Sequence, residues 1–280
     1  MGLTIHYTMS LPAKTTVAGV RQKLGALRQA CLDLPFQEVS ELLEFKGEDC
    51  NPAHLDRKHP HHWFLGQADS HIYFQIARSG KPTVVPNLQD GCYARTVLPT
   101  QVIGFSTWPG EGCEEANVGL SHFQKTVIVP NKQTGKNHRL PVEDGGGWKW
   151  HSFCKTQFAN ETGLEHFLQC HLSVIAMLDT AKRIGFEVTV NDESDYFEKR
   201  DVHELVKAIG SWDQLLAGFG GALKDAAGES GMTIESPIFA RKDFEALEMK
   251  GQSQLPPGFG DVVRELVKTT AAVKAQKTGK

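Results

Sequence analysis

The 280-residue chain has no run of about eighteen apolar residues, so no segment of it reads as a membrane-spanning helix. It has no excess of charge either. Thirty Lys and Arg stand against 33 Asp and Glu, a formal net charge of -3. A chain so balanced has no general attraction for nucleic acid or an anionic membrane, and neither is expected as a partner. Cysteine is sparse: six residues and no CxxC pair. That spacing excludes the strong zinc patterns and a dense disulfide framework together. No metal and no cofactor is expected, and the thiols read as reduced. The N-terminus lacks a basic segment followed by an apolar one. His6 stands where a myristoylation signal needs Ser or Thr. The expected location is cytoplasmic.

The composition is that of an ordinary globular protein, 40% hydrophobic, 22% charged and 9% aromatic. Leu3 to Met9 alternates apolar and polar residues, the pattern of a half-buried strand. Thr15 or Thr16 can cap a helix whose apolar face is Val17, Val20, Leu24, Leu27, Cys31 and Leu34, with Pro35 ending it. Further strands are expected at 36–45, 71–77, 101–107, 122–130, 148–158 and 186–190. Residues 46–62 read as a polar linker, His59, His61 and His62 as a solvated loop, and 131–147 as a mobile loop. Thr162 and Glu165 have the spacing of a capping box for a helix reaching Ile184, with Gly185 as its stop. Asp201 caps another helix, which Gly210-Ser211 is expected to interrupt. The pattern predicts an α+β protein: a mostly antiparallel sheet with helices packed on it, loosely ferredoxin-like with insertions. Residues 1–257 form one domain in this reading. The Pro- and Gly-rich stretch 251–260 leads to a helical or disordered tail over 258–280, expected to dock weakly or fray.

Chemistry concentrates in two blocks, Gly104 to Asn117 and Trp148 to Gln157. Glycines at 110 and 112 allow a tight turn that can present the Cys113 thiol, though Glu111, Glu114 and Glu115 beside it oppose a thiolate. Glu114 and Glu115 are candidate acid and base, with Lys155 or His151 as electrostatic partner. Trp108, Trp148 and Trp150 offer flat surfaces for a ligand, and Asn117 and Gln157 offer amides to bind it. The candidate catalytic residues are therefore Cys113, Glu114, Glu115, His151 and Lys155. The candidate binding residues are Trp108, Asn117, Trp148, Trp150 and Gln157.

Four other features point to structure rather than chemistry. His166 and Cys170 are neighbours on one helix face, but zinc spacing is missing around them. His171 falls on the apolar stripe of the same helix, the place of a hydrogen-bonded core histidine. The acidic run 191–195 has Phe197 where a calcium loop needs glycine, so a solvated turn is expected there. Gly218-Phe-Gly-Gly221 follows no strand and is not a phosphate loop.

The opening MGLTIHY, the blocks FSTWPGEGCEEAN (105–117) and SFCKTQ (152–157), and the helix HFLQCHLSVI (166–175) resemble a group of bacterial proteins with no assigned activity. The resemblance spans most of residues 1–225. It implies a bacterial cytosolic origin and says nothing about substrate. From the residues themselves, the expectation is a polar-aromatic pocket where 108–117 meets 148–157. Its use would be hydrolysis or group transfer on a small molecule, with Glu as acid or base. The alternative is a binding or immunity-like interaction protein that holds these residues in a buried polar network.

Overall fold

The computed structural model describes residues 3–76, 81–130, 135–143, 145–231, 233–265 and 267–268. In chain order its elements begin with β1 (Thr4–Leu11), α1 (Val17–Leu32), β2 (Glu38–Val39), β3 (Leu43–Lys46), α2 (Pro60–Gly66) and β4 (Ser70–Ile76). There follow β5 (Pro82–Val85), β6 (Tyr93–Val97), β7 (Gln101–Trp108), β8 (Ala116–His122), β9 (Thr126–Pro130) and β10 (Asn137–Pro141). The chain continues with β11 (Trp148–Lys155), α3 (Leu164–Ile184), β12 (Glu187–Asp192), α4 (Tyr196–Lys199), α5 (Val202–Glu229) and α6 (Phe244–Gln252). The architecture is α+β. Among the described residues no helix is long and apolar enough to cross a membrane.

The central sheet runs β12-β1-β11-β8-β7-β2, with β3 also on β7, and its pairs are antiparallel. Helix α1 carries the chain from β1 to the far edge at β2, and α3 carries it from β11 over β1 to β12. The two helices touch each other. Two strand-helix-strand units thus share a sheet larger than a four-stranded ferredoxin-like one. The alternation of β1 decides the core: Ile5, Tyr7, Met9 and Leu11 are buried. They join Val20, Leu24, Leu27 and Cys31 of α1 and Val174, Ile175, Met177, Leu178 and Ala181 of α3 in one cluster. Each large aliphatic side chain buried there stabilises the fold by roughly 1.5–3 kcal/mol.

Two insertions build a second cluster. The sheet β5-β4-β6 leaves the central sheet between β3 and β7, and the hairpin β9-β10 leaves it between β8 and β11. Ile72, Phe74, Val97, Phe123, Val127, Val129, Leu140 and Val142 bury against one another where they meet. The expected single strand 122–130 is therefore two, broken at 123–125, and the expected loop 131–147 includes β10. The expected strand 36–45 is likewise split into β2 and β3.

The expected linker 46–62 delivers a helix. Pro60 opens α2, where its missing N–H costs nothing, and His59 Nδ1 accepts from the His61 N–H at 3.2 Å. Phe64 and Leu65 of α2 are buried. The Phe64 ring centre lies 5.0 Å from that of Trp150. Gly104 is required beneath it, because a β-carbon there would meet Phe64 Cζ at 2.8 Å and collide with the Val118 carbonyl.

The helix ends differ from the spacing rules in two places. Thr16 caps α1 as expected, accepting from the Gly19 N–H at 3.2 Å. The Thr162–Glu165 capping box does not form. Gly163 is the cap residue of α3, and Thr162 lies in helical backbone as the end of a preceding 3-10 turn, Gln157–Glu161, which misplaces its hydroxyl. Gly185 ends α3 in the left-handed conformation, as expected. Asp201 caps α5, accepting from His203 and Glu204, but α5 runs unbroken through Gly210-Ser211.

Of the two outcomes expected for the C-terminal segment, docking and fraying, the described residues show docking. Ala217 of α5 packs with Ile238 and Phe244, and Ala226 packs with Val263 and Val267, which are buried. The segment around 263 is docked on α5 rather than frayed, because Val263 and Val267 share a helical face that Ala226 leaves room for. Leu266 and residues 269–280 of the expected tail lie outside the described residues.

Candidate functional site

The two chemistry-rich blocks touch. The Glu114 N–H donates to the Lys155 carbonyl at 3.0 Å, the Cys154 thiol donates to the Glu114 carbonyl at 3.1 Å, and Trp150 Nε1 donates to the Asn117 carbonyl at 2.9 Å. Lys155 Nζ lies 3.2 Å from Glu114 Oε1. That pair is partly exposed, which limits its worth to about 1 kcal/mol or less. No helix begins at Glu114; the chain enters β8 two residues later.

The blocks do not enclose one shared pocket. Trp148 is buried, with Nε1 donating to the Thr15 carbonyl at 3.1 Å. Gln157 is buried, with Oε1 accepting from the Leu3 N–H at 3.2 Å. Asn117 is fully buried. These three hold the fold together. Trp108 and Glu115 line a cavity of about 130 Å³ with Glu38 and His61. Burial and then the Glu38 charge raise the Glu115 carboxyl above its ordinary range. Burial, and then His59, lower the His61 imidazole.

Cys113 goes elsewhere. The turn 109–113 lies on α3, where Cys113 packs against the cluster that holds Phe167 and Cys170. The His166 ring sits 3.0 Å from the Glu111 carbonyl through Nε2. Glycine is needed in this turn: Gly112 has φ of 78°, and a β-carbon on it would stand 2.5 Å from the Phe158 backbone.

Trp150 and His151 belong to a third place, a cavity of about 220 Å³ lined also by Thr8, Gln67, Ala68, Asp69, Ser70, Ser121, Phe123 and Lys149. Here the chemistry is varied. The His151 imidazole is held below its ordinary value by burial, then by His6 and Lys149, which favours its neutral form. Its Nδ1 is 3.4 Å from Thr8 Oγ1. Burial pushes the Asp69 carboxyl up. Gln67 Oε1 accepts from Ser152 Oγ at 2.8 Å and from Asn117 Nδ2 at 3.2 Å, and Asn117 Oδ1 accepts from Ser106 Oγ at 2.5 Å. Gln67 Nε2 is buried with no partner. A buried donor left unpaired costs about 1–3 kcal/mol unless something else accepts from it.

Gln67 and Asp69 carry no linear signal. Gln67 is the residue that ends α2, and only the seating of Phe64 and Leu65 on the sheet turns it toward Ser152. A second set was also illegible. The run 191–195, expected to be solvated, buries Asp192 and Ser194. Asp192 Oδ1 accepts from Ser194 N at 3.0 Å and Ser194 Oγ at 2.7 Å, and Oδ2 from Phe197 N at 3.0 Å. His171, fully buried as expected, places Nε2 3.4 Å from Asp192 Oδ2 and Nδ1 2.9 Å from Thr156 Oγ1. This Ser, His and Asp set is no nucleophilic triad. The serine donates to the aspartate, and none of the three lines a described cavity. It ties β12 and α4 to α3.

Among the described residues, no group of three or more His, Cys, Asp or Glu side chains converges as metal ligands. No family model matches the chain, and no curated protein or solved structure matches it.

Proposed function

We propose that the cavity over Trp150 binds a small polar molecule and performs acid-base chemistry on it, as a hydrolase or group transferase. The observation that carries this reading is Gln67 Nε2, a buried donor without a partner on a side chain that lines the same cavity as His151 and Asp69. Its complement is an acceptor: a carbonyl, carboxylate or phosphoryl oxygen. Neutral His151 serves as general base. Asp69 lines the same cavity and is the second acid-base group of the reading. Trp150 forms an apolar floor. Glu114 and Glu115, the acid and base expected from the sequence, do not line this cavity. The reading takes the chain to be cytoplasmic and independent of nucleic acid, which its near-neutral charge supports.

The test is turnover of chromogenic esters, phosphate esters and amides by the purified protein. The expected result is hydrolysis of one class, reduced about 10²-fold or more by His151→Gln, with Gln67→Ala weakening KM. Absence of turnover of every class, or turnover indifferent to His151→Gln, overturns it. A second reading, binding without turnover, draws on the polar network of Ser106, Asn117, Gln67 and Ser152 beneath the cavity. A small ligand retained by the unmodified protein, lost in Gln67→Ala and never converted, would favour that second reading.

A further inference from the structure

We propose that Cys113 and Cys170 form a reversible dithiol–disulfide couple, oxidised by thiol exchange with a small disulfide such as oxidised glutathione. The pair lies outside the cavity assigned above and does not depend on it. Turn 109–113 is seated directly on the α3 face that carries His166 and Cys170. The Cys170 thiol lies 3.4 Å from the Pro109 carbonyl, and a β-carbon on Gly110 would stand 3.0 Å from Cys170 Sγ. Cys113 packs against the cluster that contains Cys170 and is partly exposed, while Cys170 is fully buried. One thiol is therefore open to reagents and the other is buried in the same cluster.

The surroundings favour ionisation of the pair as a unit. A carbonyl can only accept, so the His166 Nε2 that touches the Glu111 carbonyl carries a hydrogen. That same nitrogen lies 3.6 Å from Cys170 Sγ. The hydrogen bond from Cys113, then His166, hold the Cys170 thiol below the usual cysteine range, and Cys113 is held correspondingly high. The pair gives up a first proton readily and shares the one that remains. Cys154 is close but differently engaged: its thiol donates to the Glu114 carbonyl at 3.1 Å, and burial pushes its ionisation up.

The chemistry balances without further reagents. With the shared proton on Cys170, the Cys113 sulfur attacks the small disulfide RSSR. A Cys113–SR bond forms, the S–S bond of RSSR breaks, and RS⁻ leaves and takes a proton. Cys170 then releases its proton and attacks the Cys113 sulfur, expelling the second RS⁻, which is protonated in turn. Two protein thiols and one RSSR give one protein disulfide and two RSH. The turn glycines Gly110 and Gly112 allow the small backbone adjustment that S–S bonding needs.

The full chain carrying Cys92→Ser, which removes the other partly exposed cysteine, is incubated with oxidised glutathione at neutral pH and mapped by peptide mass spectrometry. The expected result is loss of two free thiols, a Cys113–Cys170 cross-linked peptide, and full reversal by dithiothreitol. Adding Cys170→Ser should leave a persistent glutathione adduct on Cys113. Adding Cys113→Ser should leave Cys170 unreacted in the folded protein. Retention of both thiols, a Cys113–Cys154 cross-link in place of the expected one, or a stable glutathione adduct on Cys113 with Cys170 intact would overturn the proposal.

Discussion

Replacing Asp192 with Asn should cost about 3–5 kcal/mol of folding stability at neutral pH. The carboxylate is 2% exposed and accepts from Ser194 N, Ser194 Oγ and Phe197 N, with His171 Nε2 at 3.4 Å. A carboxylate can only accept, so all four groups approach it as donors. The amide of Asn offers one acceptor oxygen and points an NH₂ at the rest. Orphaning a buried donor costs about 1–3 kcal/mol, and the amide orphans at least two of these four, which gives the figure of about 3–5 kcal/mol. The pH dependence gives a sharper signature. Burial by itself pushes the Asp192 carboxyl up, but the hydrogen bond and charge of His171, with the bonds from Ser194, outweigh it and hold the group below its ordinary value. A group with a depressed folded pKa stabilises above its unfolded pKa, about 3.9, and loses that stabilisation as pH falls through the folded value. The gap between wild type and Asp192→Asn, measured by urea unfolding, should therefore be full at pH 6–7 and narrow on acidification. A neutral-pH loss under about 1 kcal/mol, or a gap that stays constant through the acid range, would refute this account of the network.

The remaining expectations follow from packing and the cavity. Phe167→Ala should cost about 3–5 kcal/mol and Leu178→Ala about 2–5 kcal/mol in urea unfolding, since both side chains are fully buried on α3. Gly104→Ala should be strongly destabilising by the same measurement, because backbone as well as Phe64 blocks its β-carbon. The His151 ring, followed by proton NMR, should titrate below the ordinary histidine value of about 6.5. It should move upward when Lys149 becomes Gln, since Lys149 is one cause of the depression. Val263→Ala should cost about 1.5–3 kcal/mol, and amides around 263 and 267 should resist exchange; rapid exchange there in dilute protein would restore the frayed-tail expectation.

Local pattern was enough for those parts whose cause is local. The alternation of Leu3 to Met9 marked a strand, the three-and-four spacing of Val20, Leu24, Leu27 and Cys31 marked a helix face, and Gly185 marked its neighbour's end. Each signal records which side chains must leave water, and that demand is written in the chain's own period. His171 on an apolar stripe was legible as a bonded core histidine for the same reason. The alternating apolar residues also sufficed for the α+β class and for contact between the blocks at 104–117 and 148–157.

Tertiary structure decided what depends on residues far apart in the chain. Whether Thr162 caps a helix depended on the 3-10 turn before it. Whether Asp192 met water depended on His171 reaching it from another helix. The block residues were dispersed because neighbouring side chains on a strand face opposite ways. Trp148 went to packing, Trp150 and His151 to a cavity shared with Gln67 and Asp69, and Cys113 to the surface of α3. No spacing in the sequence records that Cys113 packs against the cluster that contains Cys170, or that Gln67 is left with a buried donor unpaired. Those facts arise only when separate segments bury their apolar faces against one another and carry their polar groups along.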